Sequence, residues 1–373
     1  MRCTCILLIF LLSSCALDRV ENPIIQALTS QSPKIQSVVQ NLESHEVQIK
    51  LTTISKQKDS AIFKDFNFKV DNRNYFYPAS TVKFPVAVLT LEKLNEENLY
   101  DLDTPFFVEG DSVTTTFRNE IRDIFAVSSN DTYNRLFEFL GQDYINKKFR
   151  DKGLIPSQIS HRLETTDADE LTTKPLVFIE NDSSLITTDP IINKPLDPLN
   201  LNSLTKGKGF YRNGRLINEP MDFSEKNYLP ISTIHNMMKR VFFAEYFPEE
   251  QGFDLSETQH KFLIETMSIL PRDVGYDPNA YFDGYGKFFI YGDTTEKIPN
   301  HIKIYNKVGY AYGYLTDCAY IKDSKNNIEF ILSATIHVNA DEIYNDDVYE
   351  YDSIGLPFLA ELGREIHRIL IDR

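Results

Sequence analysis

The sequence predicts a fold of the α/β (α+β) class, with one antiparallel sheet flanked by N- and C-terminal helices and a mostly helical lobe inserted between its strands. Two early segments, 45–56 and 61–70, alternate apolar and polar residues as strands do. Three more strand patterns occur between 301 and 338. Helical periodicity dominates the stretch of about 84–300 between these two groups. We therefore expect the early and late strands to share one sheet.

The individual elements follow from the same periodicities. Helices are predicted at 33–44, 80–95, 143–152, 229–243, 256–270 and 354–371, with two helix-like runs around a polar break in 117–141. The late strands are predicted at 301–307, 314–322 and 328–338, a short extended segment at 101–113 and a hairpin insertion at 276–294. Residues 157–227 have few periodic runs and are predicted to be a long elaborated loop region, with an irregular insertion at about 165–227. One folded domain is thus expected to span 31–373.

The first fifteen residues predict export. Arg2 precedes an apolar run at 6–12, and Leu12-Ser13-Ser14-Cys15 places small residues before a cysteine. This pattern resembles the lipobox of bacterial lipoproteins, which implies a signal peptide at 1–14, lipid on Cys15 and a tether at 15–30. The protein would then be periplasmic and anchored to a membrane, with the outer membrane or cell surface as alternatives. An ordinary secretory signal is the other interpretation, and the apolar run is shorter than the roughly 20 residues of a spanning helix.

The net charge limits the kinds of binding partner that are expected, and the cysteine content limits the disulfides that can form. The net charge of −15 opposes binding to nucleic acid and to anionic membranes, so we expect no nucleic-acid partner and membrane attachment through lipid alone. If the signal is removed and Cys15 is lipidated, Cys318 is the one cysteine left and no intramolecular disulfide can form. Cys318 lies in an apolar strand pattern and is expected to be a buried small hydrophobe. No metal or cofactor motif is present, and none is expected.

The stretch 77–89 is the first candidate for chemistry. It reads as a turn followed by an apolar helix, with Ser80 and Lys83 in the first turn, where residues three apart share one face. A lysine beside a serine can activate the hydroxyl without histidine, although Ser80 alone also fits a plain helix N-cap. Two further S-x-x-K sequences begin at Ser55 and Ser203, but neither precedes an apolar helix.

Two more motifs complete a family pattern. Ser128-Ser129-Asn130 interrupts a helical run, and Lys307-Val308-Gly309 ends a predicted strand. Together with Ser80…Lys83 they resemble, in order and context, the S-x-x-K, S-D-N and K-T-G signatures of class A β-lactamases and low-molecular-mass penicillin-binding proteins. Asn134, four residues after Asn130, also fits the class A pattern. The resemblance covers about residues 33–373 and implies the β-lactamase/transpeptidase-like fold.

The resemblance implies a mechanism. Ser80 would attack a carbonyl to form an acyl-enzyme, and Lys83 would be the base if burial and a neighbouring cation, Lys307, lower its pKa.

The remaining roles also come from the resemblance. Ser128 would pass a proton to the leaving nitrogen, and Asn130 would hold the substrate amide. Gly309 lets another chain approach the strand closely. The backbone N–H groups of Ser80 and Tyr310 would form an oxyanion hole.

Three departures from the class A pattern affect the expected activity. Val308 replaces the hydroxyl residue of K-T-G, which in the family helps to bind the substrate carboxylate. No arginine follows on the next strand, and Arg162, Arg212 or Arg215 are the alternatives from elsewhere in the chain. The deacylating glutamate is not evident.

The segment 161–164 resembles the start of the family's omega loop. Extension residue by residue puts Asp167 at the glutamate position, with Glu164 as the second candidate acid. Without an acid that activates water, the acyl-enzyme would persist.

The sequence therefore leaves three functions open. The first is a serine hydrolase of the class A β-lactamase type that hydrolyses the β-lactam amide. The second is a D-Ala-D-Ala carboxypeptidase or transpeptidase acting on cell-wall peptides, or a slow β-lactam-binding protein of the same fold. The third is a tethered binding protein without turnover.

Overall fold

A five-stranded antiparallel sheet is the centre of the molecule. The computed structural model describes residues 22–58, 60–181 and 184–373. The strand order is β11-β12-β13-β1-β2, so the N-terminal hairpin of β1 and β2 joins the three late strands. Ile49 lies opposite Ala334, which fixes the register between the early and late strands. The predicted single sheet, with its terminal helices and inserted lobe, is confirmed.

The helices and strands have the following bounds. The helices are α1 (Pro23–Leu28), α2 (Pro33–Val39), α3 (Lys83–Glu97), α4 (Phe117–Ala126), α5 (Asn130–Leu140), α6 (Gln142–Asp151), α7 (Ile231–Phe242), α8 (Glu257–Met267) and α9 (Leu356–Ile371). The sheet strands are β1 (Gln48–Gln57), β2 (Ser60–Phe68), β11 (Ile302–Ala311), β12 (Tyr314–Asp323) and β13 (Ile328–His337). The short strands are β3 (Pro105–Val108), β4 (Thr115–Thr116), β5 (Leu176–Asn181), β6 (Ser184–Thr187), β7 (Thr205–Lys206), β8 (Gly209–Arg212), β9 (Arg215–Ile217), β10 (Met221–Asp222) and β14 (Ile343–Tyr344).

Two apolar cores lie on opposite faces of the sheet. On one face, α1, α2 and α9 bury residues such as Ile24, Ile35 and Leu362. On the other face, the helical lobe packs its side chains against sheet residues such as Cys318 and Ile331. Cys318 is fully buried, as its strand pattern predicted.

The helix α3 runs through the middle of the helical lobe. Every residue from 81 to 92 is buried, which agrees with its nearly continuous apolar sequence, since a helix that is apolar all round must be enclosed by protein. A 3-10 turn at Ala79–Val82 leads into α3. The start of this helix is thereby held rigidly at the boundary between the lobe and the sheet.

Three expectations from the sequence need correction. The tether predicted at 15–30 is partly wrong, because Pro23–Leu28 forms a helix whose apolar residues are buried. The local sequence feature that indicates the start of this helix is Asn22-Pro23. The Asn22 side chain accepts a hydrogen bond from Ile24 N at 3.0 Å, and Pro23 favours the first helical position. The predicted hairpin at 276–294 is wrong, because this fully described segment contains turns and a short helix, Phe288–Tyr291, but no strand.

The region 157–227 is more ordered than the predicted loop. It contributes six short strands to three small sheets. One of these sheets joins β14 to β8 in parallel, so the insertion is fastened to residues 343–344 near the C-terminus. An aromatic cluster that includes Tyr75, Phe223 and Tyr344 fills the space between the insertion and the main sheet. The predicted signal peptide and Cys15 lie outside the described residues.

Candidate active site

The 3-10 turn before α3 places Ser80 at the floor of a cleft. Ser80 is partly exposed, whereas its neighbours Ala79 and Thr81 are buried. The sequence had placed Ser80 in the first α-helical turn, but α3 itself begins at Lys83. In the described part of the chain the Ser80 hydroxyl makes no hydrogen bond. The side chain is therefore free to meet a substrate from the cleft.

Lys83 connects the other two motifs. Its Nζ donates hydrogen bonds to Asn130 Oδ1 at 2.5 Å, to the Ser128 carbonyl oxygen and, at 3.4 Å, to Ser128 Oγ. Lys307 Nζ donates to Ser128 Oγ at 2.8 Å and to the Val308 carbonyl oxygen at 2.8 Å. The Ser128 hydroxyl thus lies between two lysine amines. The structure brings together all three motifs that the sequence singled out.

Burial makes Lys83 suitable as a base. The removal of water around its amine lowers the pKa of Lys83 to about 7. The pKa of Lys307 is lowered well below its ordinary value, first by burial and then by the charge of Lys83. Burial lowers the pKa of Lys83 as expected, but Lys307 is not among the groups that shift it, so that part of the expectation needs correction. A fraction of Lys83 is therefore neutral at pH 7 and can accept a proton.

The free edge of the sheet supports the predicted oxyanion hole. The strand β11 is the outermost strand on this side and packs against the turn that carries Ser80. A Cβ atom on Gly309 would lie 2.6 Å from Ser80 N and 2.7 Å from the Pro78 carbonyl oxygen. Glycine is therefore required for this approach. Tyr310, the next residue, lines the same cleft as Ser80.

The loop 161–174 is held against α5 by polar contacts. Asn134 Nδ2 donates to the Leu163 carbonyl oxygen at 2.9 Å, and Leu163 N donates to Asn134 Oδ1 at 2.8 Å. Arg162 donates twice to the Glu138 carboxylate, at 2.6 and 2.8 Å, and both side chains are buried. Arg162 was one predicted substitute for a carboxylate-binding arginine, but its guanidinium already belongs to this buried pair. Its role in the structure is to hold the loop.

The two candidate acids of this loop face different places. Glu164 is exposed and lines the cleft that contains Ser80. Asp167 lines a neighbouring depression, where its carboxylate pairs with Lys174 at 2.6 Å. Hydrogen bonds to Lys174 and Thr165 lower the pKa of Asp167 to about 2. The structure therefore places Glu164 on the lining of the cleft that contains Ser80, and leaves Asp167, the position reached by residue-by-residue extension, outside that cleft.

These observations can be compared with known proteins. A family model described as the beta-lactamase enzyme family matches residues 32–226, slightly more than half of the chain. The chain belongs to the beta-lactamase enzyme family. No curated protein shows a significant match to this chain.

Several solved structures share the fold of this chain. A beta lactamase from Xanthomonas campestris has a TM-score of 0.53 at 12% identity, with 94% of this chain and 99% of that chain covered. PBP-A has a TM-score of 0.51 at 12% identity, with 95% and 97% covered. The protein L2, solved in complex with relebactam, has a TM-score of 0.50 at 12% identity, with 93% and 98% covered. At such low identity these likenesses show the fold alone.

Left-handed backbone conformations occur at several residues of the site. Six residues other than glycine have positive φ angles there: Ala79 (+46°), Ser128 (+60°), Glu164 (+49°), Tyr312 (+54°), Asn345 (+58°) and Asp347 (+61°). Each such conformation costs on the order of 1–3 kcal/mol, and strain of this kind occurs most often at functional sites. Ala79 precedes the nucleophile, and Ser128 carries the shared hydroxyl. The surrounding structure therefore holds the two serines in positions that a relaxed chain would not adopt.

Sequence reasoning missed a buried network behind Lys307. Lys287 Nζ donates to Asn306 Oδ1 at 2.7 Å, and Asn306 Nδ2 donates to Asp317 Oδ1 at 2.9 Å. Burial lowers the pKa of Lys287 to about 7 and raises the pKa of Asp317 to about 6. In the sequence, the one indication of this network was Asn306, a polar residue directly before Lys307. The network anchors the strand that carries Lys307.

Proposed function

We propose that this protein is a serine hydrolase that is acylated on Ser80 by β-lactams and hydrolyses their amide bond. The observation that supports this most directly is the chain of hydrogen bonds Lys83–Ser128–Lys307 beside Ser80. Membership of the beta-lactamase enzyme family agrees with it.

The proposed acylation step uses Ser80, Lys83 and Ser128. The Ser80 oxygen forms a bond to the carbonyl carbon while its proton passes to Lys83 Nζ. The backbone N–H groups of Ser80 and Tyr310 stabilise the oxyanion, a contribution of about 2.7–4 kcal/mol per donor. The C–N bond then breaks, and the leaving nitrogen takes the proton of Ser128, which is restored from the lysine amines.

Deacylation needs a water molecule and a proton acceptor. Glu164 is the carboxylate of loop 161–174 that lines the cleft with Ser80. We propose that it positions a water molecule and takes its proton while the hydroxide attacks the acyl-serine ester. The bond between the acyl carbon and the Ser80 oxygen then breaks. Ser80 takes up the proton that Glu164 received from water, passed on through Lys83, so that Ser80, Lys83 and Glu164 return to their starting protonation states.

A chromogenic cephalosporin tests the proposal when turnover and the covalent mass of the protein are followed together. We expect turnover, and an adduct on Ser80 that is absent from Ser80→Ala. The control is Ser55→Ala, which alters an exposed serine of another S-x-x-K sequence on β1 and should react as the wild type does. Absence of both adduct and turnover in the wild type would refute the proposal.

A second candidate function is a peptidase or transpeptidase acting on D-Ala-D-Ala peptides, or a slow β-lactam binder. It is favoured by Val308, which has no hydrogen-bond donor on its side chain and is buried within the sheet core. A long-lived adduct with little turnover of the cephalosporin, together with release of D-alanine from a D-Ala-D-Ala peptide, would support this second function.

We also propose that the protein is exported and anchored through lipid on Cys15, on the basis of the lipobox-like sequence. No helix among the described residues is long and apolar enough to cross a membrane. Cys15→Ser should release the protein from the membrane fraction, whereas Cys5→Ser, within the predicted signal, should not. Membrane fractionation that is unchanged in Cys15→Ser would contradict the anchor.

A further inference from the structure

The cleft extends from Ser80 to one side of the catalytic groups. Its volume is about 550 Å³, and it is lined by Ser80 and by the residues that follow Gly309, but not by Ser128 or Lys307. In the proposed mechanism, on which this inference rests, Ser128 serves the leaving nitrogen. The acyl part of the substrate must lie on the opposite side of the carbonyl carbon. The cleft is therefore the acyl-group subsite.

Tyrosine side chains form the wall of this subsite. The lining includes five of them: Tyr77, Tyr310, Tyr312, Tyr349 and Tyr351. The rings of Tyr77 and Tyr312 meet edge to face at 4.8 Å, and those of Tyr310 and Tyr351 at 5.3 Å. Aromatic faces attract cations through their quadrupole.

Two of these tyrosines are fixed by the backbone. Gly313 N donates to Tyr351 Oη and Asn345 N to Tyr349 Oη, both at 2.9 Å. The rings are therefore placed before any ligand arrives, and a cationic ligand would not need to order them.

The charged residues of the cleft lining also favour a cationic ligand. Glu164 and Asp347 are both exposed, and neither forms an ion pair with any residue that the structure describes. Two basic residues, Arg162 and Lys226, line the cleft. Arg162 is already paired with Glu138, so Lys226 remains as the basic side chain that faces these two carboxylate charges. Burial raises the pKa of Tyr310 and Tyr312, and the charge of Glu164 contributes to both shifts, so its field reaches the tyrosine wall.

His161 does not oppose this preference. It lines the cleft and stacks on Tyr77, with ring planes 6° apart. Its Nδ1 is 2.5 Å from the Arg162 carbonyl oxygen and must donate there, because a carbonyl can only accept. Burial lowers the pKa of His161 to about 4, so the ring is neutral and adds no positive charge to the lining. Its Nε2 is itself buried and has no partner among the described residues.

We infer that the cleft beside Ser80 recognises an acyl group that carries a positive charge, such as a primary ammonium group. The tyrosine rings and the two unpaired carboxylates of the lining both favour a cationic group. An anionic acyl group would meet two like charges in the same space.

Three penicillins with one nucleus provide a matched test. Benzylpenicillin, ampicillin and carbenicillin differ at the side-chain α-carbon, which carries hydrogen, an amino group or a carboxylate. The second-order rate of Ser80 acylation is measured by mass for each at pH 6, where the amino group is protonated. We expect ampicillin to react about tenfold faster than benzylpenicillin and carbenicillin more slowly still, since a favourable cation contact of about 1.4 kcal/mol corresponds to a factor of ten.

Substitutions then locate the effect. Asp347→Asn keeps a residue that tolerates the left-handed φ of +61° at this position and removes the charge. We expect it to reduce the ratio of ampicillin to carbenicillin rates severalfold. Asp346→Asn is the control, because the Asp346 side chain accepts from Val348 N and does not line the cleft, so the ratio should stay at the wild-type value.

The outcomes separate this inference from the proposed function. Acylation by all three penicillins at equal rates, or fastest by carbenicillin, would overturn the cationic subsite and leave the serine hydrolase intact. Failure of every penicillin to acylate Ser80 would refute the proposed function, and with it the inference that depends on it. A rate ratio that Asp347→Asn leaves unchanged would also overturn the assignment of the cleft.

Discussion

Replacing Glu164 with glutamine should separate the two halves of the proposed reaction. The side chain keeps its size but loses its charge and its ability to accept a proton. Glu164 lines the cleft with Ser80, and its charge is the largest electrostatic influence that raises the pKa of Lys83. The substitution should therefore change acylation slightly and deacylation strongly.

The size of each effect follows from the surroundings of Glu164. Because this carboxylate is exposed, its interaction with Lys83 is screened to about 0.2–1 kcal/mol, or about 0.1–0.7 pH units. The midpoint of the acylation pH profile should move down by that amount, since the charge that favoured protonated Lys83 is gone. A lost general base typically costs about 10²–10⁴-fold, so deacylation should slow by that factor.

The assay follows both steps with one β-lactam. Stopped-flow measurement gives the acylation rate between pH 5 and 9, and mass spectrometry gives the lifetime of the adduct. Asp167→Asn is the matched control, because Asp167 pairs with Lys174 outside the cleft. It should leave the adduct lifetime unchanged. If Asp167→Asn traps the acyl-enzyme and Glu164→Gln does not, the reasoning from the position of these two acids is wrong.

Four further results are expected. The acylation rate should rise about tenfold per pH unit below pH 7 and level off above it, because neutral Lys83 is the base and its pKa is about 7; a profile that is flat from pH 5 to 9 would exclude this role. Gly309→Ala should lower the acylation rate by at least about 10²-fold, because the added methyl group meets the turn that carries Ser80 and displaces one side of the oxyanion hole; stopped-flow kinetics and an unchanged circular dichroism spectrum would separate this from unfolding. Glu138→Gln should lower the free energy of unfolding by about 3–5 kcal/mol in urea, because it leaves the buried Arg162 charge unpaired; a loss below 1 kcal/mol would contradict the importance of the pair. For Lys287, the unfolded state binds more protons than the folded state between pH 7 and 10, so stability rises with pH there, and Lys287→Met should reduce the slope by up to about 1.4 kcal/mol per pH unit; equal slopes in urea titrations of the two proteins would contradict the burial of a titrating amine.

The periodicities of the sequence were sufficient for the main elements. The strand pair at the N-terminus, the three late strands and the buried helix after Ser80 all follow from patterns of period 2 or from apolar runs. The insertion and the segment 276–294 could not be predicted, because their short strands and turns are stabilised by distant partners. The pairing of β14 with β8 joins residues more than 130 positions apart, and no local signal specifies such a contact.

The candidate site also has one part that the sequence predicts and another that only the structure shows. The sequence alone determined which groups could act, because Ser80, Lys83, Ser128 and Lys307 stand in motifs whose chemistry depends on residue type and local spacing. Only the tertiary structure decided what surrounds them. Burial sets the pKa of Lys83, and the buried pair of Arg162 and Glu138 holds the loop that carries Glu164 on the cleft lining. Tyr349 and Tyr351 reach the cleft from the far end of the chain. The burial of a side chain and its position relative to the cleft depend on which residues pack around it in three dimensions. They therefore cannot be predicted from the order of residues alone.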